Sequence, residues 1–129
     1  MHIRTLALST AFLLSVTTAA LADDPMSNTY GNTVTTKSQK TGAVGSLMFN
    51  ADNSYMAKAT DPKGQPVSYG GNWSLKDGGA TICLAPKLPP NSPGSAPSCS
   101  PLQKHAVGDS WTVTNDQGET FAVSLTAGR

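Results

Sequence analysis

The stretch "VSYGGNWSL", residues 67–75, decides the fold class. Val67, Tyr69, Trp73 and Leu75 share one parity, while Ser68, Asn72 and Ser74 share the other. That period of two marks a strand with one face buried and one face wet. Gly71 falls on the apolar parity, where a missing side chain calls for a bend or the close approach of a neighbour.

Working outward, the same alternation recurs. In "TFAVSL" (120–125), Phe121, Val123 and Leu125 face one way, and in "SWTVT" (110–114) so do Trp111 and Val113. The four residues "NDQG" (115–118) between them make a hairpin connection. "NTVTTK" (32–37) is rich in β-branched residues around Val34. "SLMF" (46–49) and "SYMAKA" (54–59) flank the turn "NADN", and "DPKGQP" (61–66) supplies the next turn through its Pro and Gly. "KDGG" (76–79) follows Leu75 and leads into "ATICLA" (80–85), with Ile82 and Leu84 on one parity. Past the first 22 residues no stretch of ten shows helical spacing. The chain therefore reads as all-β. We expect an antiparallel meander of about seven strands, forming a small barrel or a sandwich, with one disulfide.

The disulfide reading comes from "CLAPKLPPNSPGSAPSC", which holds the only two cysteines, Cys83 and Cys99. If Ile82 and Leu84 face the core, Cys83 faces outward. A Cys83–Cys99 bridge would then tie a proline-rich loop, residues 85–101, over a sheet edge that would otherwise invite pairing with other chains. A closure around 15 residues is worth on the order of 3 kcal/mol. Nothing nearby supplies the three or four ligands of a metal site. "PKLPP" is the alternative as an extended proline helix for a partner's groove.

Disulfide chemistry implies an oxidising compartment, and residues 1–22 agree. Arg4 precedes the apolar run "LALSTAFLLSV", and "ALA" ends at Ala22 with the small residues a signal peptidase reads. We expect a signal peptide over 1–22, a flexible lead over 23–32 ("DDPMSNTYGN") and one β domain over 33–129. The product would be periplasmic or secreted, with no membrane span after processing. Arg4 is the only charged residue lost with the leader, so nine basic and eight acidic residues become eight and eight. A neutral surface argues against nucleic acid as a partner.

Chemistry is sparse along the chain. His105 is the only histidine past the leader, and Asp109 and Ser110 follow it in "KHAVGDSW". "GDS" resembles an esterase nucleophile motif, yet here the histidine comes first and the helices are missing. The aspartates sit beside turn formers, where Asp caps its own turn. "NADNS" and "NDQGE" lack the spacing of a calcium loop. Met26, Met48, Met56 and His105 form no clustered copper motif. "NWS" (72–74) fits a glycosylation acceptor but lies inside the best strand. We expect no enzyme activity, no cofactor and no metal. Binding is the remaining class, with Phe49, Tyr55, Tyr69, Trp73, Trp111 and Phe121 either making the core or lining a pocket. Tyr55, Tyr69, Trp73 and Trp111 are the binding candidates, for an unidentified small molecule or an envelope protein.

The order "NTYGNTV", "LMFNADNSYMA", "GNWSLKDGGATICL", a second cysteine and "VGDSWTVTNDQGETFAVSLTAGR" resembles small single-disulfide β proteins of bacterial envelopes, loosely lipocalin-like. The resemblance implies the fold and carries over no functional residue. A looser likeness, through the "GxWxL" strand Gly71–Leu75, is to barrel inhibitors of bacterial metalloproteases. It implies, as the alternative function, inhibition of an exported protease through the N-terminal segment. The cysteine placement differs from that pattern.

Overall fold

The computed structural model describes residues 24–61, 63–92 and 94–129. The expected signal peptide and its cleavage site lie outside the described residues. Eight strands follow in order: β1 (Thr33–Ser38), β2 (Val44–Phe49), β3 (Ser54–Thr60), β4 (Pro66–Lys76), β5 (Thr81–Pro86), β6 (Ser98–Pro101), β7 (Ser110–Thr114) and β8 (Thr120–Thr126). A single 3-10 turn, Asp77–Gly79, joins β4 to β5. No helix among the described residues is long and apolar enough to cross a membrane.

Every ladder is antiparallel, and the strands lie in the order β6-β5-β4-β3-β2-β1-β8-β7. Pairing of β1 with β8, from Thr33↔Thr126 to Ser38↔Phe121, curls the meander round on itself. The result is a barrel, closed everywhere except between β6 and β7. Barrel or sandwich is thereby decided.

The strand beyond the expected seven is β6, which lies inside the stretch assigned to the proline-rich loop. Strand β5 also runs on through Pro86, so the irregular connection spans residues 87–97 and not 85–101. "SCSP" carries no alternation of its own. It becomes a strand because Cys83↔Cys99 stand directly opposite in the β5–β6 ladder. Their disulfide is formed, with Cα atoms 4.0 Å apart, on the outer face as the parity of Ile82 and Leu84 required.

The register stacks apolar residues into rows across the inner wall. Leu125 faces Val34, Val34 faces Leu47, Leu47 faces Ala57 and Ala57 faces Tyr69, one row over five strands. Phe49, Tyr55, Trp73 and Val123 complete the buried cluster with Met26. Fully burying a side chain such as Leu125 contributes about 1.5–3 kcal/mol.

Turn chemistry follows the sequence closely. Asp61 Oδ1 accepts from the amides of Lys63 and Gln65 at 2.9 and 2.8 Å. Asp52 Oδ1 accepts from the amide and the hydroxyl of Ser54, and these bonds hold its carboxyl below the usual range. In the β7–β8 turn, however, Asn115 is the cap, taking the amides of Gln117 and Glu119. Asp116 is released to bridge the open seam. Its Oδ1 accepts from Cys99 N at 3.0 Å, and its own amide donates to Cys99 O at 2.9 Å.

The lead differs from its expectation as a flexible arm. Residues 24–32 form consecutive hydrogen-bonded turns, and Met26 is only 1% exposed. Asn28 donates to His105 O at 2.9 Å, and Gly128 N donates to Asn32 Oδ1 at 3.0 Å. Tyr30 packs against Trp73 with ring centroids 6.3 Å apart. One apolar residue among polar neighbours gives no periodic signal, yet this one plugs an end of the barrel.

Candidate functional site

The barrel is hollow. A cavity of about 370 Å³ runs between its walls, and the aromatics serve both roles: Phe49, Tyr55 and Trp73 belong to the buried core, while Phe49, Tyr55, Tyr69, Trp111 and Phe121 line the hollow. The cause of the hollow is the size of particular inward residues. Thr36 and Ser38 on β1, Gly45 on β2, Ala57 and Ala59 on β3, and Ser98 and Ser100 on β6 all line it. Beside them in the lining stand Ile82, Leu84, Val113, Phe121 and Val123. Close packing of larger side chains would have filled this space, and small ones on four strands leave it open.

Its two ends differ. Toward the β2–β3 and β4–β5 turns, Met26 and Pro25 border the cavity as part of the plug. Toward the opposite rim the lining passes to exposed Thr41, Gly94, Ala96 and Gln117, two of them from the 87–97 connection. Polar groups gather there. Ser38, 3% exposed, donates to Glu119 Oε1 at 3.1 Å and accepts from Thr41 N at 3.3 Å.

Three of the four binding candidates, Tyr55, Tyr69 and Trp111, line the cavity. Trp73 does not. It stands at the plugged end, edge-on to Phe49 at 6.4 Å, with its indole N–H satisfied by Asn50 O at 2.9 Å. It is core, because the ring lies two residues past Gly71, beyond the hollow part of β4.

Gly71 explains how Tyr55 enters. The two residues are paired across β3 and β4, and a Cβ on Gly71 would lie closer to Tyr55 Cζ and its hydroxyl oxygen than any real Cβ contact. The phenol therefore lies flat along the β4 wall. Burial pushes the Tyr55 hydroxyl up to about 12, with the nearby Tyr69 adding to the rise, and burial raises Tyr69 as well. Both stay protonated at neutral pH. Trp111 is covered differently, by His105 stacked at 3.6 Å with planes 5° apart. His105 Nδ1 lies 3.8 Å from Asp109 Oδ2, which also accepts from Ala106 N at 2.9 Å. The histidine is thus a packed loop residue beside the cavity, and Ser110 is exposed on β7.

Lining residues that were not singled out beforehand are chiefly the small ones. The alternation placed Ala57 inward, but only the register shows that so many small positions adjoin. Among the described residues no group of three or more His, Cys, Asp or Glu is placed to hold a metal ion.

Fold and cavity together define a class: a small antiparallel β-barrel of eight strands, stapled on its outer face and hollow within. Compared with protein-family models, curated proteins and solved structures, the chain matches none of them.

Proposed function

We propose that this is an exported, non-catalytic binding protein that holds a small molecule inside the barrel. The cavity is the observation that supports it most: about 370 Å³, walled mainly by apolar side chains and reaching one rim. That volume lies in the range of small-ligand sites, which are concave, largely apolar and carry a few placed polar groups. Export is supported by the disulfide, which persists in oxidising compartments. The inhibitor alternative needs an N-terminal segment free to enter a protease cleft. Against it stand Met26, buried in the barrel, and the bonds that tie Asn28 and Asn32 to it.

Native mass spectrometry of the protein recovered unreduced from its host's periplasm tests this reading. The expected mass is that of residues 23–129 less two hydrogens, with an additional few hundred daltons (about a drug-sized ligand) lost on denaturation. A second arm uses phenylnaphthylamine, a neutral probe that brightens in apolar surroundings. Wild type should bind it, and Ala57→Phe, which fills the hollow, should not. A bare mass together with no probe binding would overturn the reading.

A further inference from the structure

The wall of the cavity carries an unusual polar feature. Tyr55 is 2% exposed, and no hydrogen bond joins its hydroxyl or that of Tyr69 to another described residue. Neither hydroxyl is a sealed, unsatisfied atom, so each opens onto the space of the cavity, and a molecule filling that space must accept its hydrogen bond or leave it uncompensated. Both tyrosines line the hollow from neighbouring strands, and Tyr69 lies close enough to add to the rise of the Tyr55 hydroxyl. Their hydroxyls thus form a pair of donors waiting on the inner wall.

The charges are distributed the opposite way. Lys58 borders the cavity from the outer parity of β3, where it pairs with Ser46 and Ser68. Glu119 sits at the rim and is engaged by Ser38. The described lining holds no arginine and no inward lysine, and its one histidine, His105, lies flat on Trp111 with Nδ1 3.8 Å from the Asp109 carboxylate, so no unengaged cation faces an anion held deep inside.

Resting on the carrier reading, we propose that the cavity selects a neutral, mainly apolar molecule with one oxygen acceptor, a carbonyl or ether, held by the hydroxyls of Tyr55 and Tyr69. Burying a carboxylate there would leave its charge unpaired, whereas a ketone would accept from both hydroxyls. Because both tyrosines remain protonated at neutral pH, both can donate. The acceptor goes in first and the apolar body trails along Leu84, Val113 and Phe121 toward the rim.

Three probes of one shape test this: acetylnaphthalene, ethylnaphthalene and naphthoate. Binding is read by calorimetry and by the fluorescence of Trp111, which lines the cavity. Acetylnaphthalene should bind about two- to tenfold more tightly than ethylnaphthalene, the range for a net hydrogen bond. Naphthoate should be weaker than the ketone by at least about tenfold. In Tyr55→Phe/Tyr69→Phe the ketone's advantage should vanish while ethylnaphthalene binds as before, with thermal melting confirming that the variant is folded. Wild-type ranking alone decides the matter if the variant does not fold. Equal or tighter naphthoate binding overturns the inference, as does a ketone advantage that survives loss of both hydroxyls. Binding of all three without preference sinks this inference and leaves the carrier reading standing. Binding of none sinks both.

Discussion

A single missing side chain at Gly71 determines where the Tyr55 ring can go. The neighbouring Gly70 faces the other way, and a Cβ there would meet Met56 and Tyr55 O only at 3.6 Å, an ordinary contact. Two alanine substitutions one residue apart should therefore differ sharply. Gly71→Ala collides with the Tyr55 ring and should cost about 1–3 kcal/mol, the usual range for overpacking. Gly70→Ala should cost less than about 1 kcal/mol. Urea denaturation midpoints check both, and equal effects would show that the ring does not lie where described. At this scale the sequence was readable where parity applied. Gly71 announced a close approach and Cys83 announced its outward face. Trp73 stayed between core and pocket, since parity tells in from out but not hollow from filled. Asp116 was misjudged, because the turn already had a cap in Asn115 and the seam offered the carboxylate a better donor.

Elements formed by alternation were legible, and the one formed by cross-linking was not. Strands β4, β7 and β8 could be read directly, whereas β6 has four residues, ends in Pro101 and owes its pairing to the bridge. Reduction should expose that dependence. In Cys83→Ser/Cys99→Ser, global stability should fall by about 2–4 kcal/mol. Hydrogen exchange should accelerate first at Ile82, Leu84 and Ser100, before β1 or β8 is affected. Uniform acceleration across all eight strands would mean that β6 is no weaker than the rest. The lead, residues 24–32, was equally unreadable, since its placement depends on long-range bonds to His105 O and Gly128 N and on a cavity end for Met26 to close.

For the whole molecule, closure and hollowness are properties of register that no single segment contains. The row Leu125–Val34–Leu47–Ala57–Tyr69 exists only once β8 has met β1. Its shifted phenols also give the molecule an alkaline limit. Tyr55 and Tyr30 are both held near 12, against an ordinary 10, by burial and then by Tyr69 and the Asp24 bond respectively. Folding favours the protonated form, so above pH 10 the unfolded chain has already released protons that the folded one keeps. Stability should be level below pH 10 and decline between about 10 and 12. The slope should not exceed about 1.4 kcal/mol per pH unit for Tyr55. Tyr30, partly exposed, should add less. Denaturation midpoints across this window check the effect, and Tyr55→Phe should flatten it. A midpoint that rises with pH would contradict the sign.

The hollow is built from side chains that are small, and smallness can be altered one position at a time. Ala57, Ala59, Ser98 and Ser100 point inward from strands whose ladders do not depend on what those side chains are. Exchanging any of them for a larger or smaller neighbour would redraw the interior while the outer face, the staple and the hairpins stayed as they are. Relatives of this barrel could therefore diverge in what they admit through a few inward substitutions and still share one exterior. Selectivity and architecture would then drift on separate sets of residues.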